Sequence, residues 1–189
     1  MPADSMHSLY ARANAIFAFM LWVLSAVTFA CFLSTLFLNY TTNIHLDVNN
    51  VKLRRVNDYA SESGVADLAA FDFSLKADVS PLFNWNVKQL FVYLVAEYAT
   101  EKNPVNQVVI WDRILHRNDR VVIDERIGTP KYHLMDDGTS LKDHKNVTFV
   151  LRYNVVPNAG YLRLAQAESQ IHIEMPSEYT AGKPSRGRA

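Results

Sequence analysis

The residues of this chain that could do chemistry are few and scattered. His116, His133, His144 and His172 are scattered through the C-terminal body, and no spacing among them suits a metal. There is no Gly-x-Ser-x-Gly elbow, no phosphate-binding loop and no His-Glu-x-x-His, the patterns that would place a nucleophile, a phosphate or a zinc ion. Asp136-Asp137-Gly138 resembles the opening of a calcium loop, but the later acidic ligands are missing, so the triplet reads as a turn. A Ser–His or Ser–Lys pair could be assembled only from distant segments, and no motif points to one. What remains is covalent modification. Asn146-Val147-Thr148 fits the glycosylation acceptor pattern, with Asn146 the candidate site, and Asn39-Tyr40-Thr41 is a second match beside an apolar run.

These sparse groups must be carried by elements, and the elements are mostly strands. Residues 69–78 alternate, with Phe71, Phe73, Leu75 and Ala77 on one side and Asp72, Ser74, Lys76 and Asp78 on the other, which predicts a half-buried strand. Residues 89–98 are apolar on both faces and read as a central strand covered twice. Leu90, Val92, Leu94 and Ala96 share one of its faces, Phe91, Tyr93 and Val95 the other; Phe91 and Tyr93 are expected on the outside. Segments 44–51, 107–112, 120–124, 132–135, 147–155 and 169–175 complete a set of about eight strands. Turn residues separate them, among them Pro81 with Asn84, Asn103-Pro104 and Pro157-Asn158-Ala159-Gly160. No sustained helical stripe occurs from 43 to 175, so the expected body is an all-β antiparallel sandwich over 43–176, followed by a polar, mobile tail at 177–189.

Ahead of the body, residues 16–38 read IFAFMLWVLSAVTFACFLSTLFL, and no charge occurs between Arg12 and Asp47. At ~1.5 Å per residue this run is about 34 Å long, enough for a hydrocarbon core of about 30 Å. It exceeds the apolar length of a cleavable signal, and Asn39-Tyr40-Thr41-Thr42 is not a small-x-small cut site, so a retained anchor is expected. Charge alone mildly favours a cytosolic body, through Lys52, Arg54 and Arg55. Those charges lie within a folded domain, and the two acceptor triplets point the other way, to a short cytosolic segment 1–15 and a lumenal body. Nineteen basic and nineteen acidic residues cancel, which removes any field suited to nucleic acid. The single cysteine, Cys31, sits inside the span, so the body has no disulfide and lacks the Cys…Trp…Cys pattern of immunoglobulin domains.

Several blocks resemble one family closely. They are Ser8 through Ala15, Phe83-Asn84-Trp85-Asn86-Val87-Lys88-Gln89-Leu90-Phe91, Asn106 through Arg113, Asn146-Val147-Thr148 and Tyr153 through Gly160. Together they resemble the third subunit of the eukaryotic signal peptidase complex, over about Ser8 to Met175. The resemblance implies a single-pass type II glycoprotein of the endoplasmic reticulum membrane. It implies a non-catalytic partner of the complex's other subunits, one of which supplies the serine, with no cofactor. On that reading Trp85, Phe91, Tyr93 and Trp111 are candidate partner contacts, although a tryptophan in a sandwich more often belongs to the core. The competing class is an independent, membrane-anchored lumenal binding module with a chaperone-like role.

Overall fold

The computed structural model describes residues 8–59, 63–136, 138 and 140–180. A single helix, α1 (Leu9–Leu36), leads into eight strands: β1 (Ile44–Asn57), β2 (Val65–Asp78), β3 (Val87–Tyr98), β4 (Asn106–His116), β5 (Val122–Ile127), β6 (Leu134–Asp136), β7 (Val147–Pro157) and β8 (Arg163–Ile173). The helix begins seven residues before the apolar run and ends two residues short of it. Its inner polar side chains are satisfied locally: Thr28 donates to Leu24 O at 2.8 Å and Ser34 to Cys31 O at 2.8 Å. Such bonds let hydroxyls sit in an apolar solvent without an unpaired donor. Its side chains are almost all exposed, since no other part of the chain covers them.

The strands form two antiparallel sheets. One has the order β1-β2-β5, with β6 also pairing with β2; the other has the order β4-β3-β7-β8. The eight expected strands are all present, with displaced ends. β1 continues to Asn57 rather than stopping at 51, and β8 starts at Arg163 rather than 169. Both extensions are polar-rich edge segments, where pairing with β2 and β7 supplies the order that composition does not.

The core lies between the sheets. Phe71, Phe73, Leu75 and Ala77 face it from β2, and Leu90, Val92, Leu94 and Ala96 face it from β3, the latter four fully buried. Phe71 meets Phe149 edge-on, with centroids 5.3 Å apart. At the sandwich edge Arg113 on β4 pairs with Glu125 on β5 at 2.5 Å, tying one sheet to the other. In β4 the register slips so that Trp111 pairs with Leu94 and Val109 with Val95, leaving Ile110 without a partner. This bulge turns the consecutive residues Ile110 and Trp111 both inward. Trp111 is a core residue, 5 % exposed, and is not available as a surface contact.

The expected tail boundary moves. Thr180 N donates to Leu53 O at 2.8 Å, and the Tyr179 hydroxyl accepts from Arg55 at 2.8 Å beneath a guanidinium 4.6 Å from its ring. Residues 177–180 are therefore laid along β1, and the remainder of the expected tail lies outside the described residues.

Candidate functional site: the helix–sandwich junction and the outer face of one sheet

Two features could serve a partner. The first is the junction between α1 and the sandwich. Strand directions place Ile44, Asp78, Val87, His116, Pro157 and Arg163 at one end of the body, next to the helix, and Asn57, Val65, Tyr98, Asn106, Val147 and Ile173 at the other. At the near end Asn86 is 2 % exposed. Its amide donates to Thr35 Oγ1 at 3.1 Å and to Ala159 O at 2.8 Å, while its Oδ1 accepts from Ala159 N at 3.0 Å. Thr35 can accept because its own hydroxyl is turned back onto Phe32 O, 3.2 Å away. Arg163 donates to Leu36 O at 2.9 Å, meeting one of the carbonyls that a helix C-terminus leaves open, and its guanidinium lies 5.2 Å from the Tyr40 ring.

Tyr40 is the second knot. Its hydroxyl accepts from Asn84 at 2.7 Å and its carbonyl accepts from the buried Tyr153 hydroxyl at 2.8 Å. Burial pushes the Tyr153 hydroxyl up to about 12. Gly160, at φ +117°, lies against the Phe32 ring; a Cβ there would stand 2.8 Å from Phe32 Cδ2. Only glycine combines that backbone angle with that approach. Tyr161 then meets the same ring edge-on, centroids 5.8 Å apart. The last turn of the helix is thus tied to two separate segments of the body, around Asn86 and from Gly160 to Arg163. No motif announces this arrangement, since its members are ordinary Asn, Thr, Gly and Arg residues far apart in the chain.

The second feature is the outer face of the β4-β3-β7-β8 sheet. Ladder partners share a face, so Ile114, Phe91, Asn154 and Leu164 form one row across it and Asp112, Tyr93, Arg152 and Gln166 the next. Phe91 and Tyr93 are half-buried and stacked, centroids 5.2 Å apart with 26° between planes; Tyr93 also donates to Asn154 Oδ1 at 3.3 Å. Ile114 is 51 % and Leu164 69 % exposed, so the row is apolar on three of the four strands, with Asn154 on β7 its polar member. Charge borders it: Arg152 pairs with Glu97, and Lys131 donates to Asp112 at 2.7 Å, which holds the Asp112 carboxyl below the usual carboxylate range. An apolar row with a paired polar rim has the anatomy of a protein contact.

The remaining sequence candidates are dispersed. Trp85 is exposed in the turn before β3, beside the junction and off the sheet face. Asn146 is exposed at the far end, its Oδ1 within 3.1 Å of His172 Nδ1. His116 bonds to Asp119, His144 to Ala99 O, and His133 is exposed, so the histidines are not brought together. Asp136 ends β6 and turns inward, accepting from Tyr98 OH at 2.9 Å and Ser140 N at 3.2 Å, while Asp137 of the expected turn lies outside the described residues. Among the described residues no group of three or more His, Cys, Asp and Glu could hold a metal ion.

A long apolar helix bonded at its end to an antiparallel β-sandwich defines the class: a membrane-anchored β-sandwich protein. The model of the signal peptidase subunit family matches residues 6–178. The chain is 61 % identical over 180 residues to signal peptidase complex subunit 3 of Caenorhabditis elegans, covering 95 % of this chain and 100 % of the relative. It is 44 % identical over 174 residues to the Drosophila melanogaster subunit 3, covering 92 % and 97 %, and 41 % identical over 178 residues to the human one, covering 94 % and 99 %. The chain belongs to the signal peptidase subunit family.

Proposed function

We propose that this chain is a non-catalytic subunit of the signal peptidase complex of the endoplasmic reticulum membrane, anchored by α1 with its sandwich in the lumen, and that it holds the catalytic subunit at a set height above the bilayer. Family membership over residues 6–178 carries the assignment. The junction supports the positioning role: a helix joined by a free linker could anchor a domain but not orient it, whereas Thr35, Leu36 and Phe32 are each tied to the body. Cleavage at a membrane surface depends on such placement, because small misalignments of reacting groups cost orders of magnitude in rate. The outer face around Phe91 and Tyr93 is the contact we assign to the catalytic subunit.

Purification from membranes in mild detergent is expected to bring down a serine-peptidase subunit. Phe91→Asp and Tyr93→Asp are expected to weaken that association while the full chain stays folded; a complex that survives both substitutions places the contact elsewhere. Purification of the chain with no peptidase subunit favours an independent binding module. Protease added to sealed microsomes is expected to spare residues 43–175, and their loss reverses the orientation. Alanine at His116, His133, His144 or His172 is expected to leave signal cleavage near normal in assembled complex.

A further inference from the structure

The near end of the sandwich exposes an apolar set that lies off the sheet-face contact. Trp85 is 56 %, Tyr161 54 % and Leu162 50 % exposed, in two loops that the fold places side by side. They adjoin because Asn86, next to Trp85, bonds Ala159 O, two residues before Tyr161. Both loops are also fixed to the helix, through Asn86 to Thr35 and through Gly160 and Tyr161 to Phe32. Their height relative to the helix is therefore set, and the height of the helix in a bilayer follows from its sequence.

Arg12 is the last charged residue before the span. A hydrocarbon core of about 30 Å takes up about 20 helical residues, and counting from Ile16, where the apolar run opens, the twentieth is Thr35. A tilt of about 20° adds little more than one residue. Thr35 thus lies at the boundary between hydrocarbon and headgroups, and the loops bonded to it and packed on Phe32, about one turn earlier, lie at about the same depth. Tryptophan and tyrosine are the residues enriched in that layer. Cations stand around them at the same end of the body: Arg117 donates to Asn84 O and to Val87 O on either side of Trp85, and Lys88 is exposed beside it. Long basic side chains at this height reach lipid phosphates with their heads while their stems stay near apolar groups.

We infer that the sandwich is seated on the bilayer, with Trp85, Tyr161 and Leu162 inserted in the interfacial lipid layer as a second attachment beside the helix. The occupant of this patch is lipid. The inference rests on α1 spanning the membrane and not on which side the body faces. One helix alone lets helix and body tilt together in the bilayer; two inserted loops resist that tilt.

Depth-dependent quenching tests it. The full chain, with Cys31 replaced by Ser, is reconstituted alone in phosphatidylcholine vesicles with bimane at one new cysteine: Trp85→Cys, Leu162→Cys, Val105→Cys or Leu24→Cys. Val105 is 68 % exposed on the far loop and serves as the water-facing reference. Lipids spin-labelled at the 5-position are expected to quench positions 85 and 162 at least about threefold more than position 105, as interfacial residues should be. Both side chains are exposed, so loss of folding in one variant leaves the other as the test. Lipids labelled at the 12-position are expected to quench position 24; if they do not, the anchor itself fails, and the seat with it. Quenching at 24 with levels at 85 and 162 no higher than at 105 overturns the seat alone. So does free quenching of 85 and 162 by aqueous iodide that disappears only when the other complex subunits are present, since protein would then be the cover.

Discussion

The two ends of the sandwich are built from similar loops and put to opposite uses. The near end gathers Asn86, Thr35, Arg163, Tyr40 and Gly160 into a junction of buried hydrogen bonds, and surrounds it with exposed Trp85, Tyr161 and Leu162. The far end is closed by polar loops in which Tyr98 donates to Asp136, Asp67 Oδ2 accepts from Lys142 N, and Asn146 stands in solvent beside His172. With about 3.3 Å per strand residue, the 12 residues of β3 separate these ends by nearly 40 Å. Both ends bury polar side chains, Asp67 and Asp136 at the far one, so the difference lies in what they bond: loops at the far end, the helix at the near end. The near end must transmit the orientation of a helix, so its side chains are bonded to it; the far end needs only closed loops and solubility.

The largest effect is expected at Asn86. Replacing it with Ala removes three bonds and leaves Ala159 N and O without their partner, which should cost about 3 kcal/mol of stability. Denaturant titration of the full chain in detergent, followed by fluorescence, measures it; an unchanged midpoint would break the contrast between the ends. Gly160→Val should cost about 2 kcal/mol through backbone strain and the clash with Phe32. Adding Phe32→Ala should recover the clash but not the strain, and a double-mutant cycle separates the two.

A third test uses pH. The Tyr153 hydroxyl titrates at about 12 in the folded chain, because burial disfavours the phenolate, against about 10 when unfolded. Between those values the unfolded chain binds fewer protons than the folded one, so stability falls as pH rises from about 10 to about 12. Tyr153→Phe should flatten that slope, at the cost of the bonds to Tyr40 O and Gln166 O. A slope unchanged in the Phe variant would show that another group governs alkaline unfolding.

The smallest effect is expected at the far end. Asn146→Gln should change stability by no more than about 0.5 kcal/mol, as for other exposed positions away from buried contacts. It should also abolish the entire glycan shift of chain made in microsomes. Asn39, three residues beyond the helix end, is expected to be too close to the membrane for the transferase, and a residual glycosidase-sensitive band would show otherwise.

Much of this was legible in the residues. The period-2 pattern of 69–78 and the doubly apolar run of 89–98 describe strands whose inner and outer faces the structure keeps, with Phe91 and Tyr93 outside. The helix was legible because an apolar run of that length has few other uses. Trp111 was not, since a bulge breaks the alternation from which a face is read. Residues 163–168 were not, because an edge strand is ordered by its neighbour and carries little pattern of its own.

By itself, then, the sequence determined the strand content and the membrane-length helix through local composition and periodicity, and the family through blocks of residues that match it. Only the tertiary structure decided that Asn86, Thr35, Ala159 and Arg163 meet, that Gly160 sits on Phe32, and that Trp85 stands beside Tyr161 at the depth of the helix end. Hydrogen bonds between residues 51 to 127 positions apart leave no period in the chain, because each needs one matching atom at one place and no repeating pattern around it.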